Sequence, residues 1–324
     1  MGVREVAHSG EFRRTCAGFC AARKISPHTA ALCVYFKCYH LFLPYGQSLG
    51  TSDSLAKSKV QWSFDYMSQQ VNEKCGLCHL QARLVNSHVI PNFHYKAMKG
   101  GENRFLVIST DPIKRETYRQ KGITEYLLCS RCDNERLSKY EKHVREILFG
   151  GFPLDSKCDG RLLSFRGYDY KNLKNGLLSV LWRMSVSLDP FFREVDLGAR
   201  HEERLREALL NDTEFEEEEY PILVTAPIFQ GQALLQCMIP PDFTRAYNNR
   251  VYRCLISGKI FTFLVGSAPL AGTIRGLILR RKEWPVVRAN VEELPFLSAA
   301  ILQLGRASII RNQAADRQAA QRSI

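Results

Sequence analysis

The 324-residue chain has no apolar run of the ~20 residues that a membrane-spanning helix needs. The best candidate, Thr29 to Leu43, is broken by Lys37 and His40. The first residues do not read as a secretory signal either. Arg13, Arg14, Arg23 and Lys24 surround Cys16 and Cys20, leaving no clean apolar core and no small-residue cleavage site. The expectation is a cytoplasmic chain without a membrane partner, where thiols stay reduced and paired cysteines more often hold metal than form disulfides. No internal repeat is present. Acid is scarce: 33 Asp and Glu stand against 45 Lys and Arg, a net charge of +12. Such a surplus favours polyanionic partners. With 45% hydrophobic and 24% charged residues, the chain is neither wholly disordered nor collagen-like.

Its length suggests about two domains, and the charge divides it further. The net charge is +4 over residues 1–66, +5 over 67–150, −5 over 151–219 and +8 over 220–324. Residues 1–66 show no helical or strand period. Two readings stand for them: a poorly ordered basic extension, or an over-extended gene model with translation starting at Met67. Cys16, Cys20, Cys33 and Cys38 fit no ligand spacing as a set and are assigned no metal. In 151–219, Leu173, Leu177, Leu181, Met184 and Leu188 recur at three and four and predict an amphipathic helix over 169–188. A second helix is predicted over 201–210 with Leu205 and Leu209 on one face, and the run Glu214 to Glu219 reads as a solvated acidic linker. Beyond it, strands are predicted over 220–228, 233–239, 251–256, 259–265 and 272–281. Ser257-Gly258 forms a hairpin turn, and a helix is expected from Val291 onward. The fold class expected is α+β: a zinc domain at 67–150, a helical segment, and a small β-rich C-terminal region.

The chemistry lies in 67–150. Cys75-Gly76-Leu77-Cys78 and Cys129-Ser130-Arg131-Cys132 are two CxxC knuckles separated by 50 residues. Four thiolates in two such pairs suit tetrahedral zinc, because a two-residue gap lets both sulfurs of a knuckle reach one ion. The separation exceeds ordinary zinc-ribbon spacing, so a segment is inserted between the knuckles. That insert holds Asn86-Ser87-His88-Val89-Ile90-Pro91. The second knuckle runs into Asp133-Asn134-Glu135-Arg136, a helix whose buried face is marked by Leu137, Tyr140, Val144, Ile147 and Leu148. Cys158, Cys237 and Cys254 are isolated and read as core residues.

From Cys75 to Glu146 the chain resembles the HNH endonuclease family, the ββα-metal variant of the treble-clef zinc fold. The family pattern is a CxxC, then Asp/Glu-His-Ile-x-Pro, then Leu-Cys-x-x-Cys-His/Asn-x-x-Lys. Ser87 to Pro91 and Leu128 to Arg136 match it here. The resemblance implies a structural zinc on Cys75, Cys78, Cys129 and Cys132, and it makes His88 the general base that takes a proton from water. It also implies a catalytic Mg²⁺ or Mn²⁺, which prefer oxygen ligands. Three positions depart from the family: Ser87 where Asp, Glu or His binds the ion, Asp133 where His or Asn is usual, and Thr124 where Asn is usual, with Glu125 beside it. Asp133 becomes the leading ligand, Asn134 the backup, and Glu141 a further candidate two helical turns on. Asp133 also reads as a charge favoured at a helix start, and Glu141 as a surface partner of Lys142 or Arg145.

Around these, Lys96, Lys99, Arg104, Lys114, Arg115, Arg119 and Lys121 in the insert, with Arg136, form a candidate phosphate-tracking surface for DNA. Tyr95, Phe105 and Tyr118 interleave with them, and His94 is a weaker candidate. Two functional classes follow. One is a metal-dependent endonuclease hydrolysing DNA, in the phage-defence or mobile-element setting common to stand-alone members of the family, with residues 151–324 serving target recognition or a protein partner. The other is a non-catalytic zinc module that grips nucleic acid or a protein. A titratable His88 beside a carboxylate favours the first.

Overall fold

The computed structural model describes residues 72–99, 103–108, 116–150, 153–246 and 248–297. The readings of 1–66, of Lys114 and Arg115, and of the chain past 297 lie outside the described residues. The protein is α+β. Strands β1 (Asn72–Lys74) and β2 (Gln81–His88) flank the first knuckle as an antiparallel pair. Helix α1 (Asn92–Lys99) follows, then the short strands β3 (Phe105–Val107) and β4 (Thr117–Arg119). Strand β5 (Thr124–Cys129) returns antiparallel to β2 and delivers the second knuckle. The chain then winds through a wide π-helical segment, Arg131–Leu137, into α2 (Ser138–Phe149). Leu137, Tyr140, Val144 and Ile147 are buried as their spacing requires, and Leu148 is partly so.

After the strands β6 (Asp155–Asp159) and β7 (Leu162–Arg166) comes α3 (Tyr170–Val186), capped by Asp169, whose carboxylate accepts from the Asn172 amide. Every residue from Leu173 to Met184 is buried, so α3 is a central helix, apolar contacts surrounding it rather than meeting one stripe. It packs on α2 at Gly176, where a Cβ would stand 2.4 Å from Val144 Cγ2. Leu188, expected on its apolar face, is 75% exposed. The helix ends earlier because the Glu125 carboxylate accepts from the Ser187 hydroxyl and, at 2.8 Å, from the Leu188 amide. Helix α4 (Ala199–Asn211) buries Leu205 and Leu209 as predicted.

The acidic run is largely exposed at Glu214, Glu216 and Glu218, as a solvated segment would be, but its charges are paired. Arg281 bonds Glu214 and Glu216 at 2.8 and 2.9 Å, Arg275 bonds Glu218 at 2.8 Å and Arg204 bonds Glu219 at 2.9 Å. Phe215 is fully buried within it. Beneath it the buried Lys174 donates to the Glu216 and Glu217 carbonyls.

The rest is β-rich: β8 (Ile222–Phe229), β9 (Gln232–Ala233), β10 (Cys237–Ala246), β11 (Asn249–Ile256), β12 (Lys259–Val265) and β13 (Trp284–Asn290). Ser257 and Gly258 turn between β11 and β12 with φ of +47° and +77°, the left-handed pair that a two-residue hairpin of this twist demands. The strand predicted over 272–281 is instead a helical turn, α5 (Gly272–Arg275). Ile274 is buried in that turn, and Leu270, Leu277 and Ile278 flank it in the same cluster, Ile278 making an isolated antiparallel bridge to Leu223. From Val291 only the single turns Val291–Glu293 and Pro295–Leu297 are helical among the described residues.

β1, β2 and β5 make a three-stranded sheet. A ten-stranded sheet runs β4-β3-β10-β11-β12-β8-β13-β7-β6, with β9 on β8. Its strands come from all three expected segments. β3, from the insert, lies parallel to β10, and β7 lies antiparallel to β13. The seams expected at 150 and 219 are therefore crossed by strand pairing, and one apolar core reaches from Cys75 to Val286. No helix among the described residues is long and apolar enough to cross a membrane.

Candidate metal centre and the His88 site

The four knuckle cysteines converge. Their sulfurs all lie within 4.8 Å of one another, with Cys78 Sγ 3.9 Å from Cys129 Sγ. A tetrahedral zinc with bonds of about 2.3 Å places its sulfurs about 3.8 Å apart. The donor set therefore fits a zinc ion in both chemistry and spacing. The backbone builds the cradle. Gly76 N–H donates to the Leu127 carbonyl at 2.9 Å, tying one knuckle to the other, and Cys129 N–H donates to Cys75 Sγ at 3.3 Å. Burial pushes the Cys75 thiol up, but the amides of Cys78, Cys129 and Leu77 outweigh it and hold the group below the usual thiol range. Burial, joined by the Cys75 charge, drives Cys129 and Cys132 upward. A cation among them reverses that balance by stabilising every thiolate at once. Arg206 of α4 braces the first knuckle from outside, donating to the Leu77 carbonyl at 2.7 Å. None of the described cysteines is in a disulfide; Cys237 and Cys254 are core residues, and Cys158 is half-buried.

His88 ends β2, paired with Thr124 of β5, and its ring lies 5.9 Å from that of Tyr95. Burial lowers its pKa below the ordinary value. The Glu141 and Asp133 carboxylates oppose that shift, and Arg183 and Lys96 add to it. The imidazole is thus neutral at neutral pH, within electrostatic reach of two carboxylates on the helix that follows the second knuckle. Asp133 is half-buried in the first turn of the π-helical segment. Asn134 is exposed and its amide nitrogen donates to Ser130 Oγ at 3.0 Å. Ser87 is 1% exposed, with its hydroxyl directed at the Val85 carbonyl. The alternation of β2 turns it away from the face His88 occupies.

Glu141 pairs with neither Lys142 nor Arg145. One of its oxygens accepts from Arg183 Nη1 at 2.8 Å, across the α2–α3 interface. Arg183 is 1% exposed. The sequence reading missed it, because it sits beside Met184 in a helix judged by its apolar face alone. Glu125, noted only as a neighbour of Thr124, caps the end of α3. His94 is a core histidine: its Nδ1 is 2.7 Å from Ser257 Oγ, rings of Phe93, Phe149 and Phe261 surround it, and burial pushes its pKa down to about 3.

The basic candidates separate. Lys96, Arg104, Arg119 and Lys121 are exposed and Lys99 is half-buried. The Arg104 guanidinium lies 4.5 Å over Tyr118, itself 46% exposed, and Arg119 lies 5.8 Å over Phe191. Tyr95 and Phe105 pack in the core. Arg136 does not join the surface set, since its Nη1 donates to the Leu210 carbonyl at the end of α4. That contact satisfies an orphan helix carbonyl, which explains why the charge turns inward. Comparison of the chain with family models, with curated proteins and with solved structures gives no match.

Proposed function

We propose that the chain is a metal-dependent HNH-type endonuclease that hydrolyses DNA phosphodiester bonds, with β1, β2, β5 and α2 forming a treble-clef ββα module around zinc. The observation that carries this reading is the position of His88. A titratable imidazole ends β2, and the Asp133 and Glu141 carboxylates, on the segment that follows the second knuckle, act on its charge. A binding module has no use for a titratable group so placed. Neutral His88 takes a proton from water as the water oxygen attacks phosphorus and the bond to the leaving sugar oxygen breaks. Asp133 is the carboxylate best suited to hold Mg²⁺ or Mn²⁺, which would supply charge neutralisation at the phosphate. Glu141 already commits one oxygen to Arg183. Lys96, Arg104 and Arg119 offer exposed charge to the DNA backbone. The free thiols of the knuckles suit a reducing, cytoplasmic setting.

One observation favours the alternative, a non-catalytic treble-clef module that grips nucleic acid or a protein. Ser87 is buried at the position where the family places a metal ligand. A plasmid-nicking assay with Mg²⁺ and with Mn²⁺ separates the two. His88→Ala should lose cleavage by 100-fold or more, on the order expected for a general base, while keeping zinc and DNA affinity. Equal cutting by wild type and variant, or none by either with DNA still bound, makes the binding module the better account.

A further inference from the structure

We propose that Arg183 is the positioning residue of the His88 site, so that the site is completed by α3 and is not contained in the zinc module alone. The inference rests on the endonuclease reading for its catalytic consequence, but its geometry stands apart from it. The Nη1 nitrogen of Arg183 carries two protons, and each has its own acceptor. One goes to the His88 carbonyl at 2.9 Å and the other to Glu141 Oε1 at 2.8 Å. A single nitrogen thereby ties the end of β2 to the first turn of α2.

The rest of the guanidinium is anchored on its own helix. Nε donates to the Ser179 carbonyl at 3.2 Å and Nη2 to Ser179 Oγ at 3.3 Å. Ser179 Oγ is fixed in turn by the Gly176 carbonyl at 2.7 Å. The fork cannot swing without breaking contacts at both ends, and at 1% exposure no water replaces them. Burying such a cation is costly unless it is paired and hydrogen-bonded. Filling buried volume does not by itself call for a charge at 183. What an arginine adds is a planar donor that addresses two elements at once. The groups acting on His88 come from four elements: Glu141 of α2, Asp133 of the π-helical segment, Arg183 of α3 and Lys96 of α1. Arg183 is the only one of these that bonds the backbone of His88 itself among the contacts described.

The test uses the full chain with zinc bound, comparing wild type, Arg183→Met, Arg183→Lys and Glu141→Gln. The first readout is the His88 titration followed by nuclear magnetic resonance of its ring. The second is plasmid nicking. In Arg183→Met the His88 midpoint should rise by on the order of half a pH unit or more, because a nearby cation is removed and the Glu141 charge is left unopposed. Nicking should fall on the order of 100-fold, as expected when a reacting group loses its placement by about an ångström. Arg183→Lys, a point donor that reaches one acceptor and not both, should recover the midpoint but only part of the rate. If Arg183→Met folds with full zinc and changes neither midpoint nor rate, the proposal is overturned. If it does not fold, Arg183→Lys decides, since it keeps the charge but cannot serve both acceptors, and a wild-type rate with it overturns the proposal; Glu141→Gln, which keeps the Arg183 bond and removes the charge, should lower the midpoint and calibrates the carboxylate's share. Absence of nicking by wild type would defeat the endonuclease reading alone, since the titration still reports on Arg183.

Discussion

Replacing Cys129 by serine probes the metal centre most directly. Two unit charges 3.9 Å apart, the Cys78–Cys129 sulfur separation, repel by about 4 kcal/mol at an effective dielectric of 20. With all four sulfurs inside 4.8 Å, the quartet cannot hold four thiolates without a cation. Zinc removes that repulsion and contributes on the order of 10 kcal/mol in small zinc elements. That is comparable to the whole stability of a typical domain, about 5–15 kcal/mol. Serine is a poor zinc ligand, while its backbone amide keeps the bond to Cys75 Sγ, so the change tests the metal ligand and not the cradle. The metal module shares one apolar core with α3 and the large sheet. Loss of zinc should therefore unsettle this shared core and not residues 67–150 alone. Wild-type protein should contain one zinc per chain by elemental analysis and unfold in one thermal transition followed by circular dichroism. Cys129→Ser, or chelated wild type, should lose the metal and that transition together. The reasoning fails if purified wild-type protein is folded with less than half an equivalent of zinc. It also fails if Cys129→Ser melts within a few degrees of wild type. A first step that melts only the zinc module, leaving the sheet intact, would refute the shared core.

Two further outcomes follow from the packing. His94 is held neutral, its pKa lowered from 6.5 to about 3 by burial, so the unfolded chain binds more protons in that window; stability should be complete above pH 6.5 and fall as the pH drops toward 3, by up to about 1.4 kcal/mol per unit. Denaturant titrations of wild type and His94→Asn across pH 3–7 check this, and an equally steep acid limb in both would contradict it. Gly176→Ala should destabilise by about 1–3 kcal/mol through overpacking, since its Cβ would meet Val144 Cγ2 at 2.4 Å. Adding Val144→Ala should recover part of the loss, and strict additivity of the two changes would show that the helices do not touch there.

How much of this was legible in the sequence depended on how local each signal is. The convergence of the four knuckle cysteines was readable because each knuckle is two residues wide, and that spacing suits one metal ion whatever path the chain takes between them. The same holds for the Ser257-Gly258 hairpin and for α4. The insert was readable only as charge. That β3 joins a sheet through parallel pairing with Cys237 and Met238 of β10 depends on a register set some 130 residues away, which no local pattern encodes. Residues 272–281 misled because short apolar runs serve strands and helices alike.

Charge was the least legible feature, and the reason is physical. A run of like charges looks solvated when its counter-charges lie far along the chain. Glu214 and Glu216 find Arg281 more than 60 residues later, and Arg183 finds Glu141 and His88 at separations of 42 and 95. Each pairing is a tertiary event, so the sequence supplies the charges but not their partners. The consequence reaches function. Part of the surplus of basic residues is committed to partners within the chain: Arg136 to a helix end, Arg206 to the first knuckle, Arg183 to the His88 strand and, at the surface, Arg275 and Arg281 to the acidic run. A net charge of +12 therefore overstates the surface available to a polyanion. Exposed Lys96, Arg104, Arg119 and Lys121 lie along the insert that also carries His88. On the endonuclease reading proposed above, these exposed charges, and not the total, are what a phosphate backbone would meet, so neutralising them should lower DNA affinity and its salt dependence while changes at the paired arginines should not.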